Sequence, residues 1–259
     1  MSSHDSAAVP GLEPSAPHFD TAAMRFDAGV VERLERATTS GISLVSSDIV
    51  PAYSSVKPQS YELTKRIIDF TLAFIGLIVL FPLLVVTAIL IKLSDFGPIL
   101  FCQTRVGRGG AEFTCYKFRT MVVNAEELKD ELLELNHHQD GITFKIPRDP
   151  RATRLGLWLR KTSIDELPQL VNVLKGDMSI VGPRPPVPSE VAWYTPFDLR
   201  RLEVRPGLTC TWQVSGRGDV PFGDQVRLDV QYIENRSLWL DSKLILQTIP
   251  AVLSGRGAY

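Results

Sequence analysis

The chain has 259 residues, of which 44% are hydrophobic and 22% charged, so it can form a packed core and wholesale disorder is excluded. With 28 basic and 29 acidic residues it lacks the basic excess that nucleic-acid-binding proteins carry, and we expect no nucleic-acid partner. Its three cysteines and four histidines are spaced for neither a disulfide scaffold nor a zinc site.

The N-terminal segment, residues 1–60, differs in composition from the rest of the chain. It contains eleven Ser and five Pro, and only residues 28–37 could form a short helix. Such a segment buries too little apolar surface to offset the chain entropy that folding removes. We therefore expect residues 1–60 to be disordered.

An apolar stretch without any charge, residues 70–91, follows this segment. As a helix it would be about 33 Å long, enough to cross a hydrocarbon core of about 30 Å. Pro82 lies near its middle, where it removes a backbone hydrogen bond and should kink the helix. Basic residues flank the stretch on both sides, so the positive-inside rule gives no orientation for a simple span. A kinked span and a re-entrant helix that returns to the same side both remain open.

Two local elements are predicted next. Residues 99–104 and 111–120 are rich in β-branched and aromatic residues and enclose the segment RVGRGG, a pattern typical of a β-hairpin. Residues 124–135 have the spacing of an amphipathic helix with a solvated acidic face.

Further helices are predicted in the C-terminal half. Residues 163–174 carry one apolar stripe, with Pro168 tolerated near the first turn and Gly176 placed to end the helix. The tail, residues 226–253, is also helical in pattern. Its second part, residues 237–253, suits either a buried helix or one that lies in a membrane interface.

Two adjacent acidic residues, Asp165 and Glu166, are the strongest candidates for chemistry. The spacing from Ser163 to Glu166 also fits a capping box, in which these side chains would only cap the helix. Basic residues in Gly- and Pro-rich turns favour a functional role, because arginine forks match phosphate oxygens. Carboxylates beside such residues are also typical of a Mg²⁺ site. The candidate phosphate-binding residues are Lys117, Arg119, Arg160, Arg184 and Arg217, each of which alone could be a solvated surface residue.

Five stretches of the sequence closely resemble the bacterial sugar transferases, the small monotopic polyprenyl-phosphate phosphoglycosyl transferases. These enzymes start exopolysaccharide, capsule and O-antigen repeat units. The resemblance covers residues 62–259. The stretches are KFRTM (117–121), DPRAT (149–153), RKTSIDELPQLVNVLKGDMSIVGPRP (160–185), RPGLTCTWQVSGR (205–217) and LSGRGAY (253–259).

The resemblance implies the reaction. A sugar 1-phosphate would move from a UDP-sugar to undecaprenyl phosphate, with release of UMP. Asp165 would be the nucleophile that forms a covalent aspartyl-phosphosugar intermediate, and Glu166 would bind Mg²⁺. Arg160 and Arg184 match arginines that hold phosphate in the family. We expect glucose or galactose as the sugar.

The resemblance also implies the architecture, an α+β, helix-rich, monotopic membrane protein. Residues 61–95 would form a re-entrant membrane helix broken at Pro82. Residues 96–259 would form a cytoplasmic transferase domain with interfacial C-terminal helices, at the bacterial inner (cytoplasmic) membrane. The expected partners are the UDP-sugar, undecaprenyl phosphate and membrane lipid, and a homodimer stays open. A catalytically silent membrane scaffold and a nucleotide-sugar sensor without turnover are the alternatives.

Overall fold

The structure is a computed structural model, and it describes residues 57–125, 127–128, 149–216 and 220–255. The predicted disordered segment, residues 1–60, lies outside these ranges except for its last four residues. Most of the predicted helix over residues 124–135 also lies outside them.

Helices dominate the described chain, with two pairs of short strands between them. The predicted helix-rich, mixed α+β character is confirmed. The helices are α1 (Gln59–Asp95), α2 (Arg154–Lys161), α3 (Leu170–Lys175), α4 (Pro188–Val191), α5 (Thr211–Ser215), α6 (Phe222–Asn235) and α7 (Leu238–Ser254). The strands are β1 (Leu100–Val106), β2 (Glu112–Phe118), β3 (Ser179–Val181) and β4 (Gly207–Thr209), and 3₁₀ segments cover Arg108–Gly110, Ile164–Gln169 and Asp198–Glu203.

The apolar stretch of the sequence lies inside α1, a helix of 37 residues that continues through Pro82 and is about 55 Å long. Within the described ranges it is the one helix long and apolar enough to cross a membrane, with a mean hydropathy of 3.0 over its most apolar window. Only 11% of that window is buried. An exposed apolar surface of this length is compatible with a membrane anchor. The exposed side chains on α1 include Leu63, Ile67, Phe70, Phe74, Ile75, Ile78, Val79, Phe81, Val86, Ile89 and Leu93.

The opposite face of α1 packs against the folded body along its length. Its first half contributes Ala73 and Leu77 to an apolar cluster with α3. Its second half contributes Leu84 and Ile91 to a cluster with β2 and α2. The helix therefore forms one wall of two apolar cores and also presents an exposed apolar surface.

Ion pairs connect both ends of α1 to the same body. Near the N-terminal end, Lys65 Nζ lies 2.8 Å from Asp241 Oδ2 on α7. At the C-terminal end, Asp95 pairs with Arg119, the residue that follows β2. Neither end of the helix extends away from the folded body.

The β-hairpin predicted from the sequence is confirmed. β1 and β2 pair antiparallel, with Leu100 opposite Phe118, and the turn between them contains Gly109 at a φ of 66°. Residues with a side chain rarely adopt this left-handed conformation, so glycine suits the position. β2 packs against the 3₁₀ segment Ile164–Gln169, which places the hairpin next to the candidate carboxylates.

The predicted helix over residues 163–174 is two elements in the structure: the 3₁₀ segment Ile164–Gln169 and α3. Pro168 lies in the 3₁₀ part, where it has no N–H to donate to the regular α-helical pattern. Gly176 ends α3 with a φ of 95°, as the sequence predicts.

The C-terminal tail is helical, as predicted. α6 and α7 pack with β3, which pairs with β4 in parallel, around an apolar core. On α7, Asp241 and Leu244 are buried, whereas the opposite face is apolar and exposed. This exposed stripe favours the interfacial alternative for α7 over complete burial. Its exposed residues are Trp239, Leu246, Ile249 and Leu253.

Candidate active site

The carboxylate pair lies in the 3₁₀ segment Ile164–Gln169, directly after a backbone turn at Ser163. Ser163 has a φ of 55°, a left-handed conformation that costs a non-glycine residue of the order of 1–3 kcal/mol. Its side chain makes no hydrogen bond to a helix amide, so the capping box that the spacing allowed is not formed. The strained turn instead sets the direction in which Asp165 and Glu166 leave the backbone.

Strand β2 brings Lys117 to this pair, with its Nζ 2.7 Å from Glu166 Oε1. The fully buried Asn172 on α3 fixes the position of β2. Its Nδ2 donates to the Thr114 carbonyl at 2.7 Å, and its Oδ1 accepts from the Tyr116 amide at 3.1 Å. The strand that carries Lys117 is therefore held to the helix that follows the carboxylates.

The two carboxyl groups have pKa values displaced in opposite directions. Burial and the negative charge of Glu166 raise the pKa of Asp165 to about 6. Burial also raises the pKa of Glu166, but the charges of Lys117 and Arg184 outweigh it and lower that pKa to about 2. Neighbouring carboxyl groups whose pKa values are pushed apart are typical of sites in which each has a different chemical role.

Arg184 approaches the same carboxylate, with NH1 3.7 Å from Glu166 Oε1. It lies in the loop of residues 183–186, where three of the four residues are prolines without an N–H. Hydrogen bonds to four successive carbonyls hold this loop and so fix the position of Arg184. Their donors are the amides of Gly207 and Val106 and the guanidinium groups of Arg105 and Arg201.

Arg160 lies on α2, close enough for its charge to lower the pKa of Asp165. Its Nε donates to Thr120 Oγ1 at 2.9 Å. α2 can approach Thr120 because residue 156 is glycine, since a Cβ there would lie 1.9 Å from the Thr120 carbonyl oxygen. The Thr153 side chain caps α2 by accepting from the Gly156 amide at 2.9 Å.

A narrow cleft, open to solvent, is lined in part by Glu166. The structure brings Lys117, Glu166 and Arg184 together in its lining. Sequence reasoning missed three further polar residues there, Arg105, Gln169 and Gln213. Strand alternation would place Arg105 on the face opposite the buried Val106, so the strand pattern did not indicate it, and the two glutamines gave no signal either.

Three residues that the sequence analysis named as candidates lie away from the cleft or outside the described ranges. Arg119 is buried against α1, where it pairs with Asp95, and it is not part of the cleft lining. Pro82 lies within α1. Arg217 lies outside the described residues.

The long apolar helix indicates a membrane-associated protein, and the nearby cleft combines a carboxylate with several cations. Comparison with known proteins identifies the family within this class. The chain belongs to the bacterial sugar transferase family, whose model matches residues 60–255. The resemblance inferred from the five motifs is thereby confirmed.

Three relatives illustrate the range of this similarity. The chain is 48% identical over 200 residues to "Galactosyl transferase CpsE" of Streptococcus agalactiae serotype III (strain NEM316), covering 77% of this chain and 44% of that protein. It is 42% identical over 200 residues to "Exopolysaccharide production protein ExoY" of Rhizobium meliloti (strain 1021), covering 76% and 88%. It is 42% identical over 209 residues to "Undecaprenyl-phosphate galactose phosphotransferase" of Salmonella typhimurium (strain LT2), covering 80% and 44%. The matched region is thus less than half of the first and third relatives and most of the second.

Proposed function

We propose that this chain transfers a sugar 1-phosphate from a UDP-sugar to undecaprenyl phosphate and releases UMP, as the first membrane step of polysaccharide repeat-unit synthesis. The observation that carries the proposal is the pair of Asp165 and Glu166. A buried carboxyl group of raised pKa adjoins one that Lys117 and Arg184 keep ionised. The names of the three relatives, two of them transferases of galactose and one an exopolysaccharide protein, support the same class of reaction.

In the first half-reaction, a carboxylate oxygen of Asp165 attacks the phosphorus atom that carries the sugar. The bond from that phosphorus to the oxygen of UMP breaks, UMP leaves with the electron pair, and the phosphosugar remains on Asp165 as an acyl phosphate. Because its pKa is about 6, Asp165 is mostly ionised at neutral pH and is more basic than an ordinary carboxylate.

In the second half-reaction, an oxygen of undecaprenyl phosphate attacks the same phosphorus, and the bond to Asp165 breaks to restore the carboxylate. Lys117 and Arg184 offset the negative charge of the phosphate groups in both halves. The two-step route means that the water-soluble donor and the lipid acceptor need not occupy the site together.

Mg²⁺ is the proposed cofactor. Within the described ranges, no three His, Cys, Asp or Glu side chains form a complete metal site. Mg²⁺, however, usually takes one or two carboxylates and completes its coordination with water and substrate phosphates. Asp165 and Glu166 fit that donor set, and we assign Glu166 as the principal ligand. When bound, the ion would neutralise charge on the diphosphate.

The proposed topology is re-entrant, with a break of α1 at Pro82 and both ends of the helix on the cytoplasmic side of the inner membrane. A helix that crosses the bilayer leaves the folded body at one end. α1 instead contacts one body from Lys65 to Asp95. Basic residues near both ends, Arg66 and Lys92, also favour the cytoplasmic side for both. The apolar stripe of α7 would then lie in the interface.

A donor screen tests the proposed function. The purified chain, undecaprenyl phosphate and Mg²⁺ are incubated with a panel of UDP-sugars, and UMP release is measured; we expect UDP-glucose or UDP-galactose to react. Incubation with the donor alone should leave a phosphosugar on Asp165, visible by mass spectrometry of the peptide. Donor binding without UMP release from any sugar would favour the sensor, and neither binding nor release would favour the silent scaffold.

A further inference from the structure

Arg105 is a buried cation that the proposed mechanism does not use. It lies on β1 with 9% of its surface exposed. Its NH1 donates to the Pro185 carbonyl at 2.9 Å, and its NH2 donates to Gln103 Oε1 at 2.6 Å. Its Nε has no hydrogen-bond partner, and in the described part of the chain no carboxylate forms an ion pair with it.

This arrangement is unfavourable for the protein alone. A buried charge is costly unless an opposite charge accompanies it. Burial lowers the pKa of Arg105, the positive charge of nearby Arg184 lowers it further, and the negative charges of Glu190 and Glu166 offset these effects only in part. An anion in the cleft would offset both effects.

The surroundings of Arg105 indicate the kind of ligand. Arg105 lines the same cleft as Lys117, Arg184 and Gln213. The Oε1 atom of Gln213 is also buried, and none of the described residues forms a hydrogen bond with it. Two residues of one cleft thus carry polar atoms without a partner among the described residues, a donor on a cation and an acceptor on an amide. A ligand with phosphate oxygens and an N–H or O–H group, such as a nucleoside diphosphate, satisfies both.

We propose that Arg105 is a further anion-binding residue, whose Nε donates to a phosphate oxygen of a nucleoside diphosphate in the cleft. The inference deepens the proposed function and rests on it for the identity of the ligand. The hydrogen bond from Arg105 that anchors the loop of Arg184 uses only its Nη1 atom and requires no charge on the side chain. Loop anchoring therefore leaves both the buried charge and the free Nε unexplained.

The first test compares the binding of UDP and uridine by calorimetry, using the full chain in lipid nanodiscs with Mg²⁺. Arg105→Gln should weaken UDP binding roughly ten- to a hundred-fold, because a charge-assisted hydrogen bond is lost, and should leave uridine binding unchanged. Arg105→Lys should lose less UDP affinity than Arg105→Gln, because lysine keeps the positive charge. The matched control is Arg108→Gln, an exposed arginine on the same hairpin, which should bind UDP like the wild type.

The second test separates direct contact from an effect through Arg184. In an Arg184→Ala background, Arg105→Gln should cause a further loss of UDP affinity of several-fold, whereas a residue that only positions Arg184 should cause none. In the wild type, UDP should also shift the Nε–H nuclear magnetic resonance signal that Arg105→Lys removes. This signal keeps the proposal testable where the glutamine variants do not fold.

The outcomes also separate this inference from the proposed transfer reaction. UDP affinity that depends on Arg105, without UMP release from any donor, would refute the transfer reaction and keep the anion site. Turnover with wild-type UDP affinity in folded Arg105 variants, or an unchanged Nε–H signal on adding UDP, would overturn the inference. So would a wild-type chain that does not bind UDP.

Discussion

Replacing Asp165 by asparagine should abolish turnover while making the protein more stable at neutral pH. The side chain keeps its size but loses the attacking charge, so UMP release should fall by several orders of magnitude. Burial and Glu166 raise the pKa of Asp165 from 3.8 to about 6, which means that its ionised form destabilises the folded state by about 3 kcal/mol. Removing that charge should raise Tm by about 6–12 °C for a domain of this size.

The dependence of this gain on pH follows from the sign of the pKa shift. Because the folded-state pKa of Asp165 is the higher one, the protonated form favours folding, and this advantage is lost as the pH rises through about 6. The difference in Tm between Asp165→Asn and the wild type should therefore be largest above about pH 6 and disappear below the unfolded value of 3.8. Turnover of the wild type should fall as the pH is lowered through about 6, because the nucleophile Asp165 becomes protonated.

The adjacent residue provides a matched control of opposite sign. Lys117 and Arg184 lower the pKa of Glu166, so its ionised form stabilises the fold, and Glu166→Gln should lower Tm at pH 7. Thermal melts of both variants in nanodiscs between pH 4 and pH 8 would measure this. Near-wild-type turnover by Asp165→Asn would refute the covalent mechanism, and Tm changes of the same sign in both variants would refute the electrostatic account of the pair.

Three other predictions concern phosphate binding, the metal and the membrane. Arg184→Lys should lower kcat/KM for the UDP-sugar roughly ten- to a hundred-fold, because lysine cannot form the two-pronged contact; unchanged kinetics would make Arg184 a structural residue of its loop. EDTA should abolish UMP release and Mg²⁺ restore it, with Glu166→Gln needing more Mg²⁺ than the wild type; EDTA-resistant release would exclude a metal requirement. Single cysteines at Ser60 and Arg108, in a background without the native cysteines, should both resist an impermeant thiol reagent in intact cells. Labelling of one position alone would mean that α1 crosses the bilayer.

Local patterns in the sequence predicted much of the fold. The β-branched and aromatic residues and the glycines of the hairpin, the apolar stretch of α1 and the helical tail each reflect short-range preferences that the structure keeps. The segment before α3 was predicted as α-helix and is 3₁₀, because Ser163 adopts a left-handed conformation and Pro168 cannot donate. An apolar stripe alone does not distinguish these two geometries.

The candidate site was predicted less completely, since it depends on contacts between distant parts of the chain. Lys117 and Glu166 were candidates from their motifs, and the structure brings them within 2.7 Å. Arg119 is only two residues from Lys117, but the strand ends between them and Arg119 pairs with α1. Arg105 gave little signal, because its burial depends on the loop of Arg184, which follows it by about eighty residues.

The packing of α1 makes this long apolar helix a part of the core of the folded body and not a removable segment. A chain cut just before β1 would lose one wall of two apolar clusters and expose Val173 and Leu159, which are now fully buried. Water-soluble fragments are therefore a poor source of active protein. The same packing links α1 to the carboxylates, because α3 directly follows the 3₁₀ segment that carries them, and a shift of α1 would therefore be transmitted to that segment.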